Sequence, residues 1–241
     1  ENWEGHGGAE IGEELILAKD LFKEVIRHHC EEIETFPGSD LIGRSYTPLF
    51  PGAVDRGDSK TAWTVIGADW VTTTDGTGVV HTAVMYGEDD YNLGMEVGLP
   101  AQHTVGIDGA FLEGTHSELD GRYVKDCDST VIELMHNAGL LYREKMYLHD
   151  YPHCWRTGHP LLYYAMDSWF VRMTAVKEML LEFNSQVEWA PDWVGEGRFG
   201  EWLRNVKDWA ISRERYWGTP LPVWVCNECN HQHCVGSTEE M

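Results

Sequence analysis

Gly78-Val79-Val80-His81-Thr82-Ala83 reads as a buried strand, because it is β-branched and bounded by glycine. It runs through Val84-Met85-Tyr86 into Gly87-Glu88-Asp89-Asp90-Tyr91, a glycine turn that delivers three carboxylates in a row. Upstream, Leu41-Ile42-Gly43-Arg44-Ser45-Tyr46, Ala62-Trp63-Thr64-Val65-Ile66 and Trp70-Val71-Thr72-Thr73-Thr74 read as further short strands. Phe36-Pro37-Gly38-Ser39-Asp40 and Asp75-Gly76 supply turns beside them. Several short strands with turns suggest a barrel or a compact β domain. Helices are expected beside it. Leu15, Ala18, Leu21, Phe22, Val25 and Ile26 keep helical spacing over 13–29, and Val131, Leu134, Met135 and Ala138 do so over 129–138.

The character changes near Leu148-His149-Asp150-Tyr151-Pro152, where we place a domain boundary at about residue 150. Eight of the 11 tryptophans lie beyond it, and helices are expected over 171–183 and 198–209. The chain has 241 residues, 42% hydrophobic and 24% charged, which excludes a collagen, a disordered tail or a low-complexity linker. No apolar run approaches the roughly 18 residues of a membrane span, so no membrane partner is expected. The N-terminus, Glu1-Asn2-Trp3-Glu4-Gly5, has no initiator Met, basic n-region or apolar h-region, and Ser237-Thr238-Glu239-Glu240-Met241 closes no element. We expect both ends to be cuts in a longer, cytoplasmic protein. Eighteen Lys and Arg against 40 Asp and Glu give a charge of −22, of which −18 falls in residues 1–150. Charge of that sign argues against nonspecific nucleic-acid binding, since phosphate contacts need Lys and Arg.

Three constellations carry chemistry. His81 with Glu88-Asp89-Asp90 suggests a pocket that grips a positively charged group, because adjacent carboxylates are costly to bury unless a cation neutralises them. The bland alternative is a solvated acidic turn. Arg213-Glu214-Arg215-Tyr216-Trp217-Gly218-Thr219-Pro220-Leu221-Pro222 sets two aromatics in a proline-stiffened segment, suited to an apolar ligand pocket or equally to a packed core. Cys226-Asn227-Glu228-Cys229 has the spacing that lets two thiolates reach one zinc, with two further ligands required. His233 or Cys234 is a candidate for one of them, and a redox C-x-x-C is the alternative. Cys30, Cys127 and Cys154 read as reduced thiols.

Together these residues resemble the class I aminoacyl-tRNA synthetases that handle branched aliphatic amino acids. The segment Ile211 to Trp224, reading ISRERYWGTPLPVW, carries the general likeness. Tyr151-Pro152-His153-Cys154-Trp155-Arg156, Ser168-Trp169-Phe170-Val171-Arg172, Gly195-Glu196-Gly197-Arg198-Phe199 and the stretch from Asp75 to Tyr91 are similar to the isoleucyl-tRNA synthetase family in particular. The resemblance implies an α/β protein. Residues 1–150 would be the later part of an inserted β-barrel editing domain with peripheral helices, and residues 151–241 a segment re-entering a Rossmann-like catalytic domain. It implies ATP-dependent aminoacylation of tRNA-Ile with isoleucine, using ATP and Mg, and hydrolytic editing of mischarged Val-tRNA. One methylene separates isoleucine from valine. An apolar pocket extracts only about 1–3 kcal/mol from it, a limit for which this family is itself the standard case.

In the resemblance, Asp90 matches the aspartate that holds the α-ammonium of the misplaced aminoacyl group. His81 matches the histidine that helps exclude the larger cognate side chain. Trp217 matches a tryptophan lining the isoleucine side-chain pocket, and Cys226 and Cys229 match a zinc pair present in some members. The ATP-binding HIGH and KMSKS motifs and the Thr-Thr-Pro-Trp-Thr editing peptide are absent from the sequence, so the chain alone is not expected to aminoacylate. Two departures stand out. Val84-Met85-Tyr86 replaces a loop that usually starts with Pro, and Thr157 stands where some members carry a second Cys after the one matching Cys154. Valyl- or leucyl-tRNA synthetase, or a freestanding editing protein, are the alternatives. Tyr91 and Arg198-Phe199 argue against the first, and residues 151–241 against the second.

Overall fold

The computed structural model describes residues 12–26, 30–213 and 220–240. Backbone contacts divide the chain into two compact units, residues 1–165 and 166–241.

Turns and loops dominate the first unit, in which three α-helices stand among the described residues. A tight turn at Lys19–Leu21 leads into α1, Phe22–Val25. Leu21, Val25 and Ile26 bury themselves there against Leu17, Ala18, Phe22 and Tyr142. Of the helix expected over 13–29, only this short piece forms among the described residues; 27–29 lie outside them. The second helix, α2, spans Glu88–Val97. It stops at Gly98, whose φ of +75° is the left-handed conformation that closes a helix end cheaply only for glycine. The third, α3, spans Asp128–Asn137, close to the expected 129–138.

The β-barrel expected for residues 1–150 is not found: among the described residues this unit holds no closed barrel and no named strand. The stretches 41–46 and 62–66 do meet, at the single antiparallel bridge Ser45↔Thr64. Gly43 N–H to Val65 O, Val65 N–H to Arg44 O and Tyr46 N–H to Trp63 O, each 2.9 Å, flank that bridge. Trp63 has a φ of +61°, which turns the chain out of the extended conformation and ends the ladder. The stretch 78–83 joins no sheet, and Val79 and Val80 are 53% and 51% exposed. A β-branched run supplies propensity but no hydrogen-bond partner, and without a neighbouring strand the propensity goes unused.

The second unit mixes short strands and helices, in keeping with an α/β class. The strands β1, Phe170–Val171, and β2, Trp209–Ala210, pair antiparallel as Phe170↔Ala210 and Val171↔Trp209. Between them a tight turn at Met173–Val176 leads into α4, Lys177–Ser185. The Asp208 carboxylate accepts from the Thr174 N–H at 2.9 Å and the Thr174 hydroxyl at 2.7 Å, which ties that helix start to the approach of β2. A wide irregular turn at Gly195–Phe199 precedes α5, Gly200–Arg204, so the helix expected over 198–209 ends early and Trp209 enters a strand. Trp189, Phe199, Trp202 and Trp209 form a chain of rings with centroids 5.0, 5.7 and 6.3 Å apart. The unit ends in a hairpin of β3, Val223–Val225, and β4, Gln232–Cys234. Among the described residues, no helix is long and apolar enough to cross a membrane.

Candidate functional site

The acidic run is the first turn of a helix rather than a loop. Gly87 is the cap of α2, and Glu88, Asp89 and Asp90 form its opening turn. Carboxylates are favoured there because the unpaired N–H groups make that end of a helix partly positive. The Tyr91 N–H closes the first helical bond on the Gly87 carbonyl at 2.9 Å.

Asp90 differs from its two neighbours. Its Oδ1 is buried and accepts no hydrogen bond. Its Oδ2 lies over Gly87, where an added Cβ would stand 2.5 Å from it, so the position must be glycine for the carboxylate to fold back in this way. Burial pushes the Asp90 carboxyl above the ordinary aspartate range. A hydrogen bond from the Ala83 backbone opposes that, the charge of Asp89 adds to it, and the charge of His81 opposes it. A buried carboxylate oxygen lacking a donor is costly by itself and is relieved by a cationic donor such as an ammonium.

His81 is placed near enough to act on Asp90, but not as the sequence suggests. It is exposed, and it stands on an irregular segment rather than at the end of a buried strand. The turn between the two residues is well anchored. The Tyr86 N–H bonds the Ala83 carbonyl at 2.9 Å, and the Met85 carbonyl accepts the Ala165 N–H at 2.9 Å. Val84 is buried and rests on Gly94 of α2. Sequence reasoning finds 84–86 only as a departure and misses Gly94, whose fit to Val84 is a contact ten residues apart with no local signature.

Trp217 lies outside the described residues, as do 214–219 with it. The segment leading to it is fixed to the first strand pair. Ile211 N–H bonds the Trp169 carbonyl at 2.8 Å, and Ser212 Oγ bonds Ser168 Oγ at 2.8 Å and accepts the Trp169 N–H at 2.9 Å. Arg213 turns back, donating to the carbonyls of Ala210 and Ser212 at 2.9 and 2.8 Å.

Cys226 and Cys229 occupy the hairpin between β3 and β4. The Cys226 N–H bonds the His231 carbonyl and the Asn230 N–H bonds the Cys226 carbonyl, both at 2.9 Å, with Asn230 in the left-handed region at φ +55°. Cys226 is held below the ordinary thiol range by the backbone N–H groups of Cys229 and Glu228 and by the Cys229 thiol, against a small opposing effect of burial. N–H groups directed at sulfur and a second thiol three residues on are the features of half a tetrahedral zinc site. Among the described residues, no group of three or more His, Cys, Asp or Glu stands together to complete one, so neither His233 nor Cys234 joins the pair.

Cys154 sits in a turn of the same hydrogen-bond pattern. Cys154 N–H bonds the His159 carbonyl and Gly158 N–H bonds the Cys154 carbonyl, both at 2.8 Å. Gly158 takes the left-handed place that Asn230 takes in the hairpin. Thr157 fills the position of the second thiol. Its hydroxyl, then the backbone N–H groups of Thr157 and Arg156, lower the Cys154 thiol to about 7.

With this geometry in place, the comparison with known proteins decides the family. Residues 22–241 match the family of class I tRNA synthetases for I, L, M and V. The chain belongs to that family. It is 48% identical over 230 residues to the isoleucine–tRNA ligase of Clostridium novyi (strain NT), covering 95% of this chain and 22% of that protein. The isoleucine–tRNA ligase of Thermus thermophilus is 41% identical over 233 residues, covering 96% and 22%. An isoleucine–tRNA ligase 2 of Bacillus cereus is 44% identical over 230 residues, covering 95% and 22%. The chain therefore spans about a fifth of the length of the curated relatives it matches.

Proposed function

We propose that this chain is a segment of a cytoplasmic isoleucine–tRNA ligase, and that its first part contributes to the site that hydrolyses mischarged Val-tRNA. On this reading residues 1–150 are the later part of the inserted editing domain, and residues 151–241 belong to the Rossmann-like catalytic domain. The observation that carries the editing assignment is the Asp90 carboxylate, with one oxygen buried and unpartnered and with His81 within electrostatic range. Identity of 41–48% along most of the chain to isoleucine–tRNA ligases supports the amino-acid and tRNA assignment.

The chemistry follows from those groups. A valyl ester presents an α-ammonium next to the ester carbonyl. Ionised Asp90 receives the ammonium at its empty Oδ1, and that charge-assisted bond fixes the carbonyl for attack by water. His81 at the rim leaves room for valine and opposes the larger isoleucine side chain. Trp217 forms part of the wall for the isoleucine side chain in the separate synthetic site. When bound there, ATP with Mg supplies the activation of the amino acid. Cys226 and Cys229 would provide two of four zinc ligands, the others coming from elsewhere in the whole protein.

The test is Asp90→Ala in the intact ligase. Losing a charge-assisted hydrogen bond costs about 1.5–3 kcal/mol, and more in a dry site. Hydrolysis of preformed Val-tRNA should be lost, while isoleucylation stays near normal. An unchanged deacylation rate overturns the assignment.

A further inference from the structure

Asp90 can hold a substrate ammonium only if α2 stands at a fixed place, and the residue that sets that place is not on the helix. The turn at 83–86 is clamped on one side by Val84, which is buried on Gly94. At its other end the turn is held by Tyr86. Its hydroxyl oxygen accepts the N–H of Thr104 at 2.6 Å and that of Val105 at 2.8 Å. Two N–H groups use both lone pairs, so the hydroxyl's own proton is left for Thr104 Oγ1, 3.2 Å away. All three hydrogen-bonding capacities of one hydroxyl are thus used between two segments distant in sequence. Val105 itself is 5% exposed, and its segment is bridged to Phe111, so the anchor is firm. The Tyr86 ring meets those of His103 and Tyr164 edge-on, with centroids 5.8 and 6.1 Å away.

We propose that Tyr86 is a positioning residue of the deacylation site: its hydroxyl ties the 83–86 turn to the backbone of Thr104 and Val105 and so fixes where α2 presents Asp90. The proposal rests on the editing reading given above. It assigns a purpose to the departure at Val84-Met85-Tyr86. Phenylalanine at position 86 would keep the ring contacts but leave two backbone N–H groups without their acceptor, and the turn would shift to find water.

The experiment uses the full-length ligase and preformed Val-tRNA. Misplacement by about 1 Å costs roughly 100-fold in rate, so Tyr86→Phe should lower kcat for deacylation by roughly 10- to 100-fold. KM for Val-tRNA should move less than about threefold, because the groups that bind the tRNA are unchanged. Isoleucylation by the same preparation reports an intact fold. Tyr164→Phe is the matched control. It removes a hydroxyl from the same aromatic cluster, one that donates to the Val105 carbonyl at 3.1 Å, and keeps the ring that meets Tyr86. It should leave deacylation within about threefold. Equal losses in both variants, or loss of isoleucylation in Tyr86→Phe, mean that the hydroxyl serves packing alone and overturn the proposal. Normal kcat in Tyr86→Phe overturns it too. If Asp90→Ala leaves deacylation intact, the editing reading itself fails, which is a separate result.

Discussion

Gly94→Ala tests the other clamp on Asp90. A Cβ at position 94 would stand 2.8 Å from Val84 Cγ2, 2.9 Å from Cγ1 and 3.3 Å from Cβ. Ordinary carbon contacts begin at about 3.5 Å, so roughly 0.7 Å must be found by moving either α2 or the turn. Val84 cannot yield by rotating freely, because a β-branched side chain is stiff at χ1. Two effects on stability oppose each other. Alanine is favoured over glycine inside a helix by about 1 kcal/mol, and overpacking costs about 1–3 kcal/mol. The net is between about zero and 2 kcal/mol of destabilisation, so hydrogen exchange of the α2 amides should range from unchanged to roughly 30-fold faster. The effect on rate is larger, because Asp90 moves with the helix or against the turn. Deacylation of preformed Val-tRNA should fall by up to roughly 100-fold. Val84→Ala, which removes both Cγ atoms, should restore most of it in the double variant. Wild-type deacylation in Gly94→Ala would refute the reasoning, and so would a double variant as slow as the single one.

Further outcomes follow from the same site. Burial raises the Asp90 carboxyl, and the group must be ionised to hold an ammonium, so kcat/KM for Val-tRNA hydrolysis should fall with falling pH along a limb above the ordinary aspartate value of about 3.9. A limb at or below that value contradicts the buried carboxylate. His81→Ala should open the site to cognate Ile-tRNA; if the variant loses Val-tRNA hydrolysis and still spares Ile-tRNA, its role is not exclusion. Zinc analysis of the full-length protein should show one metal fewer in Cys226→Ser. Because its neighbours lower the Cys226 thiol, the metal-free protein should be alkylated there at lower pH than an ordinary exposed thiol, and zinc should protect it.

Local patterns are legible where one element answers for itself. The periodic face of Val131, Leu134 and Met135 gives α3 nearly to its ends. The run from Glu13 promises a long helix, yet among the described residues α1 covers only Phe22–Val25, for short helices depend on tertiary packing more than on period. The strand expected over 78–83 fails because a strand is a property of two segments, and among the described residues no strand pairs with Val79 and Val80. The C-x-x-C spacing singles out Cys226 and Cys229, but not the hairpin between β3 and β4 that holds them or the backbone N–H groups that lower the Cys226 thiol. The Tyr86 hydroxyl is invisible in the sequence, since its partners lie 18 and 19 residues away. Net charge leaves the site open, because a total of −22 says nothing about where individual carboxylates point.

Direction separates Asp90 from the two carboxylates beside it. Successive residues on a helix point about 100° apart, so neighbours in sequence face different surroundings. Asp89 shares its side of α2 with Asn92, Leu93 and Glu96. Together with Asp69 and Trp70 these line an open cavity of about 380 Å³, and Asp89 itself is exposed. Asp90 shares its side with Gly94, four residues on, which is the side pressed against Val84. The helix start stabilises every carboxylate in its first turn, but only Asp90 is turned inward, over Gly87, with an oxygen deprived of a donor. A half-buried carboxylate with one oxygen out of solvent and lacking a donor destabilises the free protein, and a bound ammonium would recover that loss. The geometry that makes Asp90 costly in the free protein is therefore the geometry that would make it selective for a cationic group.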